Sequence, residues 1–170
     1  RRTGDALVTC STNNVMFRIR LVDSHGLGLR FDQNRALTGG SDTDFFFKAT
    51  DRGSRIIHVA EAKVVENVPA ERCTYKWRMK RYYRCSASFS SIEIKRKGYV
   101  AASLHLLPKF LANLAESLVL IMLLPILLVF NKKSFKWNLF KAGRRFASAL
   151  GIIAAYRGRL PKPYMTIEGH

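Results

Sequence analysis

The sequence predicts an α/β unit followed by membrane-associated helices, and three observations predict it. Residues 1–68 read as strand, loop, helix and strand, the order of one half of an α/β domain. Residues 111–130 are twenty positions whose only polar members are Asn113, Glu116 and Ser117, and about 20 apolar helical residues cross a bilayer core. The net charge of +17 is concentrated on the two sides of that apolar run.

The charge is partitioned sharply. Residues 72–97 hold nine Lys or Arg and one acid, Glu93, and residues 132–162 hold nine Lys or Arg and no acid. The remainder balances, so the basic character belongs to the flanks of the apolar run. That arrangement points to anionic membrane lipid and away from nucleic acid. Cys10, Cys73 and Cys85 have no metal-ligand spacing and no even pairing, which predicts free thiols in a reducing compartment.

The elements follow in order. Residues 10–17 (CSTNNVMF) read as a short buried strand interrupted by Asn13-Asn14. A polar pair inside an apolar strand needs partners, which marks a strand end or part of a site. Gly26-Leu27-Gly28 makes a loop, and Asp32-Gln33-Asn34 turns the chain. Ser41 is the expected N-cap, with Asp44 three residues on, of a helix over 42–51 stopped by Gly53. Residues 55–59 and 62–66 are two short β-rich runs.

Beyond residue 68 the pattern becomes helical. Pro69 opens a basic helix carrying Trp77, Tyr83 and Phe89 among lysines and arginines, suited to a membrane interface. The apolar segment 99–131 contains Pro108 and Pro125, and both a span and a re-entrant hairpin fit its two basic flanks. Residues 132–170 predict a second basic amphipathic helix and a tail. The organisation is therefore 1–68, 69–98, 99–131 and 132–170.

Candidate chemistry centres on Asp42 and Asp44, two acids opening a helix directly after Gly39-Gly40. Acids in a first turn favour the helix dipole, which is one reading. In the other, the glycines let the backbone approach a ligand closely, and a carboxylate at the pocket edge takes a proton from a hydroxyl nucleophile.

Residues 10–77 also resemble family 2 glycosyltransferases, especially membrane-linked bacterial exopolysaccharide enzymes. The resemblance rests on Thr12-Asn13-Asn14, on Phe31-Asp32, and on Gly39-Gly40-Ser41-Asp42-Thr43-Asp44-Phe45-Phe46. It continues through 53–66 and ends on Val68-Pro69-Ala70-Glu71-Arg72 and Trp77. It implies the C-terminal, acceptor-side part of a GT-A (Rossmann-like) domain. Asp42 falls at that family's catalytic base, with Ser41 where the family has Glu. Gly39, Gly40, Asp44, Asn14 and Trp77 become acceptor-side or supporting residues. Glu66 falls where some members place a metal ligand; it reads equally as an exposed strand-end acid.

The resemblance further implies inverting transfer from a nucleotide sugar to a hydroxyl acceptor such as a lipid-linked saccharide, with Mg or Mn as divalent cation. It places the work at the cytoplasmic face of a bacterial inner membrane. The nucleotide-binding half is expected in residues preceding these. The competing expectation is a non-catalytic membrane-surface protein that binds through its basic helices.

Overall fold

A computed structural model describes residues 1–162 as two compact units, 1–67 and 68–162. The predicted tail over 163–170 lies outside the described residues.

The α/β expectation is overturned. Helix, short 3-10 turns included, makes up 64% of the structure and strand 2%, so the described residues form no Rossmann-like sheet. Among the described residues the first unit's strands are a two-stranded antiparallel pair, β1 (Ala6–Leu7) and β2 (Ile56–Ile57), with Ala6 opposite Ile57. The physical reason lies in the polar interruptions. Asn13-Asn14 turns the predicted strand 10–17 into a 3-10 turn, Thr12–Asn14, with no buried residue. No parallel neighbour is then available for β2, which pairs instead with the chain's start. Residues 62–66 form no strand among the described residues, because an extended run without a ladder partner leaves its peptide groups to water.

What organises this unit is α1 (Ser41–Asp51). Its Phe45, Phe46 and Ala49 are buried with Leu29, and Cys10, Val15, Leu21, Val22, Leu27 and Ile56 pack around them. Phe31 stacks on Phe45 at 4.5 Å between ring centres, and Phe46 meets Phe45 edge-on at 5.1 Å. The helix stops as its glycine predicts: Gly53 has φ +83°, and its N–H reaches the Thr50 carbonyl at 3.0 Å. Phe17 and Phe31 are partly exposed although both lie against Phe45, and Met16 and Ile19 are exposed.

The second unit is three helices: α2 (Tyr75–Lys97), α3 (Tyr99–Phe130) and α4 (Lys132–Tyr156). Pro69 caps a separate 3-10 turn, Ala70–Cys73, and α2 begins after it, where the Thr74 hydroxyl accepts the Trp77 N–H. Gly98, with φ +80°, makes the α2–α3 corner that a side chain would strain. α4 runs parallel to α2, as Tyr83 lies against Gly151 and Tyr75 against Gly143. It runs antiparallel to α3, as the Ser117 hydroxyl donates to the Ala142 carbonyl at 3.1 Å and Ser103 meets Tyr156 at 2.8 Å.

The packing inside this unit uses small residues. α4 buries Ala142, Ala147, Ala149, Gly151, Ile152, Ala154 and Ala155, while Trp137, Phe146 and Leu150 face outward. The small inward residues let the helix backbones approach closely. α3 continues through Pro108 and Pro125 as one helix, about 48 Å long at 1.5 Å per residue. It is long and apolar enough to cross a membrane, and only 6% of its most apolar window is covered by protein.

One polar cluster is buried in this unit. Glu93 is 1% exposed. Lys97 Nζ lies 2.8 Å away, His105 Nδ1 3.0 Å and Arg96 Nη1 3.4 Å. Burial pushes its carboxyl pKa up, but hydrogen bonds from Lys97 and His105, and their charges, outweigh this and leave it below the usual carboxylate range. The cluster ties the last turn of α2 to α3 across the Gly98 corner.

Candidate functional site

The first turn of α1 is built by two consecutive left-handed glycines. Gly39 has φ +79° and Gly40 φ +83°. Gly40, rather than the expected Ser41, is the N-cap; it makes no side-chain bond, and the helix begins at Ser41. A Cβ at either glycine would strain the turn.

Asp42 sits half-buried on that first turn and its Oδ1 accepts the Thr43 N–H at 2.8 Å. The segment running beside it is residues 8–10. Thr9 donates its hydroxyl to the Thr43 carbonyl at 3.1 Å, and Thr50 donates to the Val8 carbonyl at 3.0 Å. Cys10 follows, and its thiol pKa is raised, first by burial and then by the negative charge of Asp42. A carboxylate and a thiol 32 positions apart in sequence thus share one field.

Asp44 has a different environment. It is 5% exposed, with Lys48 Nζ at 2.5 Å and the buried Arg35 guanidinium at 4.0 Å. Arg35 also lies 3.9 Å from Asp32. Two of its nitrogens, Nε and Nη1, find no hydrogen-bond partner among the described residues, so Coulomb attraction holds it in place. Its carbonyl accepts the Gly39 N–H at 2.9 Å. Asp44 and Arg35 together fasten the loop carrying the glycine pair to the helix carrying Asp42.

The remaining predicted site residues are dispersed. Asn14 is exposed and donates from Nδ2 to the Ala62 carbonyl at 2.7 Å, a tie between two loops. Glu66 is exposed in an irregular segment. Among the described residues no three His, Cys, Asp or Glu side chains approach closely enough to hold a metal ion. A cation held by Glu66 would take its other ligands from outside the described residues. Trp77 belongs to the second unit, where Arg81 lies 5.4 Å and Arg72 6.0 Å from its ring centre.

Two residues escaped the sequence reading. Arg35 carries no motif; its only signal is an acid three positions earlier. Cys10 gives no sign in sequence that it lies beside Asp42. Compared with protein-family models, curated proteins and solved structures, the chain matches none.

Proposed function

We propose that this chain supplies the acceptor-side base of a membrane-associated glycosyltransferase. The observation that carries the reading is the pair of left-handed glycines placing a half-buried Asp42 on the first helical turn, while the neighbouring Asp44 is held in structural ion pairs. Two acids two residues apart take separate roles because Asp42 is half-buried with no ion pair among the described residues and Asp44 is buried and paired. The resemblance of 10–77 to family 2 glycosyltransferases supplies the reaction class.

In that reaction the Asp42 carboxylate accepts the proton of an acceptor hydroxyl as its oxygen bonds to C1 of the donor sugar. The bond from C1 to the phosphate oxygen breaks, the electron pair leaves with the nucleoside diphosphate, and C1 inverts. A first-turn position favours the anionic carboxylate through the helix dipole. The Mg or Mn ion expected for such a reaction neutralises the leaving diphosphate when bound. The nucleotide-sugar site and the ion's further ligands are expected outside the described residues.

The exposed Met16, Ile19, Phe17 and Phe31 give the donor-binding unit an apolar surface to pack on. The acceptor is a lipid-linked saccharide, a substrate class that suits a chain carrying the long apolar helix α3 and the basic helices α2 and α4. The site of action is the cytoplasmic face of a bacterial inner membrane, and no nucleic acid is involved. In the full-length polypeptide Asp42→Asn is expected to lose turnover by about 10²–10⁴-fold; near-normal turnover in a folded variant removes the assignment.

A second reading has its own observation. α3, with its uncovered apolar surface, and the basic α2 and α4 suit a non-catalytic protein that binds membrane surfaces. It predicts vesicle flotation unchanged by Asp42→Asn, with no sugar transfer in the full-length polypeptide.

A further inference from the structure

Near the α2–α3 corner an open cleft of about 380 Å³ lies between the first turns of α3 and the last turns of α4. Its wall is apolar through Leu107, Phe110 and Ile153, and its polar groups are Ser103, Tyr156 and Arg157. The volume falls within the range of small-molecule pockets, about 300–1,000 Å³.

The polarity runs in one direction along the cleft. At one end the Ser103 and Tyr156 hydroxyls meet at 2.8 Å, and Tyr99 lies 6.3 Å from Tyr156 between ring centres. Arg157 follows Tyr156, exposed and without an ion pair among the described residues. Arg159 and Lys162 follow it, and no acid occurs anywhere over 132–162. The cleft then turns apolar toward Phe110, and α3 continues in the same direction as its uncovered apolar run. This gradient matches that of a lipid leaflet, with a charged head at the interface and a chain beside α3. The three cations outweigh the partial negative charge at the C-terminal end of α4.

We propose that the cleft holds one acyl chain of an anionic phospholipid, with its phosphate on Arg157 beside the Ser103 and Tyr156 hydroxyls. The Arg157 guanidinium presents paired donors to phosphate oxygens. The inference rests on the membrane placement of α3 in the proposed function, and is independent of Asp42.

The test uses the full chain in vesicles of phosphatidylcholine and phosphatidylglycerol, read first by flotation and then by native mass spectrometry of retained lipid. One phosphatidylglycerol per chain is expected, preferred over phosphatidylcholine by about five-fold, the effect of one basic residue near a lipid surface. Ile153→Trp fills the cleft and is expected to float normally but lose the retained lipid. Arg157→Gln, at an exposed position, is expected to keep a lipid and lose the preference. Full retention in Ile153→Trp, or an unchanged preference in Arg157→Gln, overturns the site. Failure of the unaltered chain to float overturns the membrane placement itself, and the site with it.

Discussion

A methyl group added at Gly151 tests the small-residue packing of the second unit. Built on the backbone, that Cβ lies 2.4 Å from the Tyr83 carbonyl oxygen, 2.7 Å from Ser86 Cβ and 2.9 Å from the Ala87 nitrogen. Carbon contacts are comfortable at about 3.5–4.0 Å, so α2 and α4 must part by about 1 Å. Two of the three clashing atoms are backbone and cannot swing aside. Parting the helices also stretches the 2.7 Å bond from the Ser86 hydroxyl to the Ser148 carbonyl. Overpacking of this kind costs about 1–3 kcal/mol, while Ala gains up to about 1 kcal/mol over Gly in helix propensity. With backbone in the way the cost lies at its upper end, and Gly151→Ala is expected to lose about 2 kcal/mol net. Gly143 is the internal control. A Cβ there meets the Tyr75 hydroxyl at 2.1 Å and Met79 Sδ at 3.0 Å, both far ends of flexible side chains, and Tyr75 is half-exposed. Gly143→Ala is therefore expected to be neutral or to gain up to about 1 kcal/mol. Denaturant titration of the detergent-solubilised chain, followed by helical circular dichroism, measures both. Equal stabilities for the two variants would refute the close α2–α4 contact.

Further predictions follow from the same structure. Asp44→Asn removes the carboxylate shared by Lys48 and the buried Arg35, and is expected to destabilise the first unit by about 3 kcal/mol, read as a lowered denaturation midpoint; an unchanged midpoint contradicts a structural role. Cys10 is expected to alkylate more slowly at pH 8 than the exposed Cys73 and Cys85, and Asp42→Asn to speed it by removing the nearby charge. Peptide mass spectrometry after iodoacetamide treatment reads this, and an unaltered Cys10 rate separates the two residues. Glu93 has a depressed folded pKa, so the unfolded chain takes up its proton first as pH falls. Its contribution is present above about pH 4.3 and is lost as pH drops through the lower folded value. Stability measured from pH 7 to pH 2 should show an acid limb that Glu93→Gln flattens.

What could be read from sequence followed the strength of local signals. The end of α1 at Gly53 was legible because a left-handed glycine leaves few alternatives. The apolar run of α3 was legible from composition, but its continuity through Pro108 and Pro125 was not, since proline reads as a breaker when nothing shows that neighbouring helices support the backbone. The α/β expectation failed because two-residue strands carry almost no periodicity, and the order of elements says nothing about which strands pair. In α4 the large residues Trp137, Phe146 and Leu150 carry the apolar signal of the sequence, while the packing face is a stripe of alanine and glycine that hydropathy scarcely registers. At the site, the glycine pair and Asp42 stood out as a contiguous motif. Arg35 and Cys10 did not, because their relation to the motif exists only once the chain has folded.

The role proposed for Asp42 is to take the acceptor's proton. Steady-state transfer by the full-length polypeptide, with kcat separated from the donor KM, tests it most directly. If Asp42 is the proposed base, Asp42→Asn lowers kcat by about 10²–10⁴-fold with the donor KM little changed, as expected of a carboxylate that acts on the acceptor and not on the nucleotide. A folded Asp42→Asn variant whose kcat stays within about three-fold of the unaltered enzyme, far short of a general base's contribution, would contradict it.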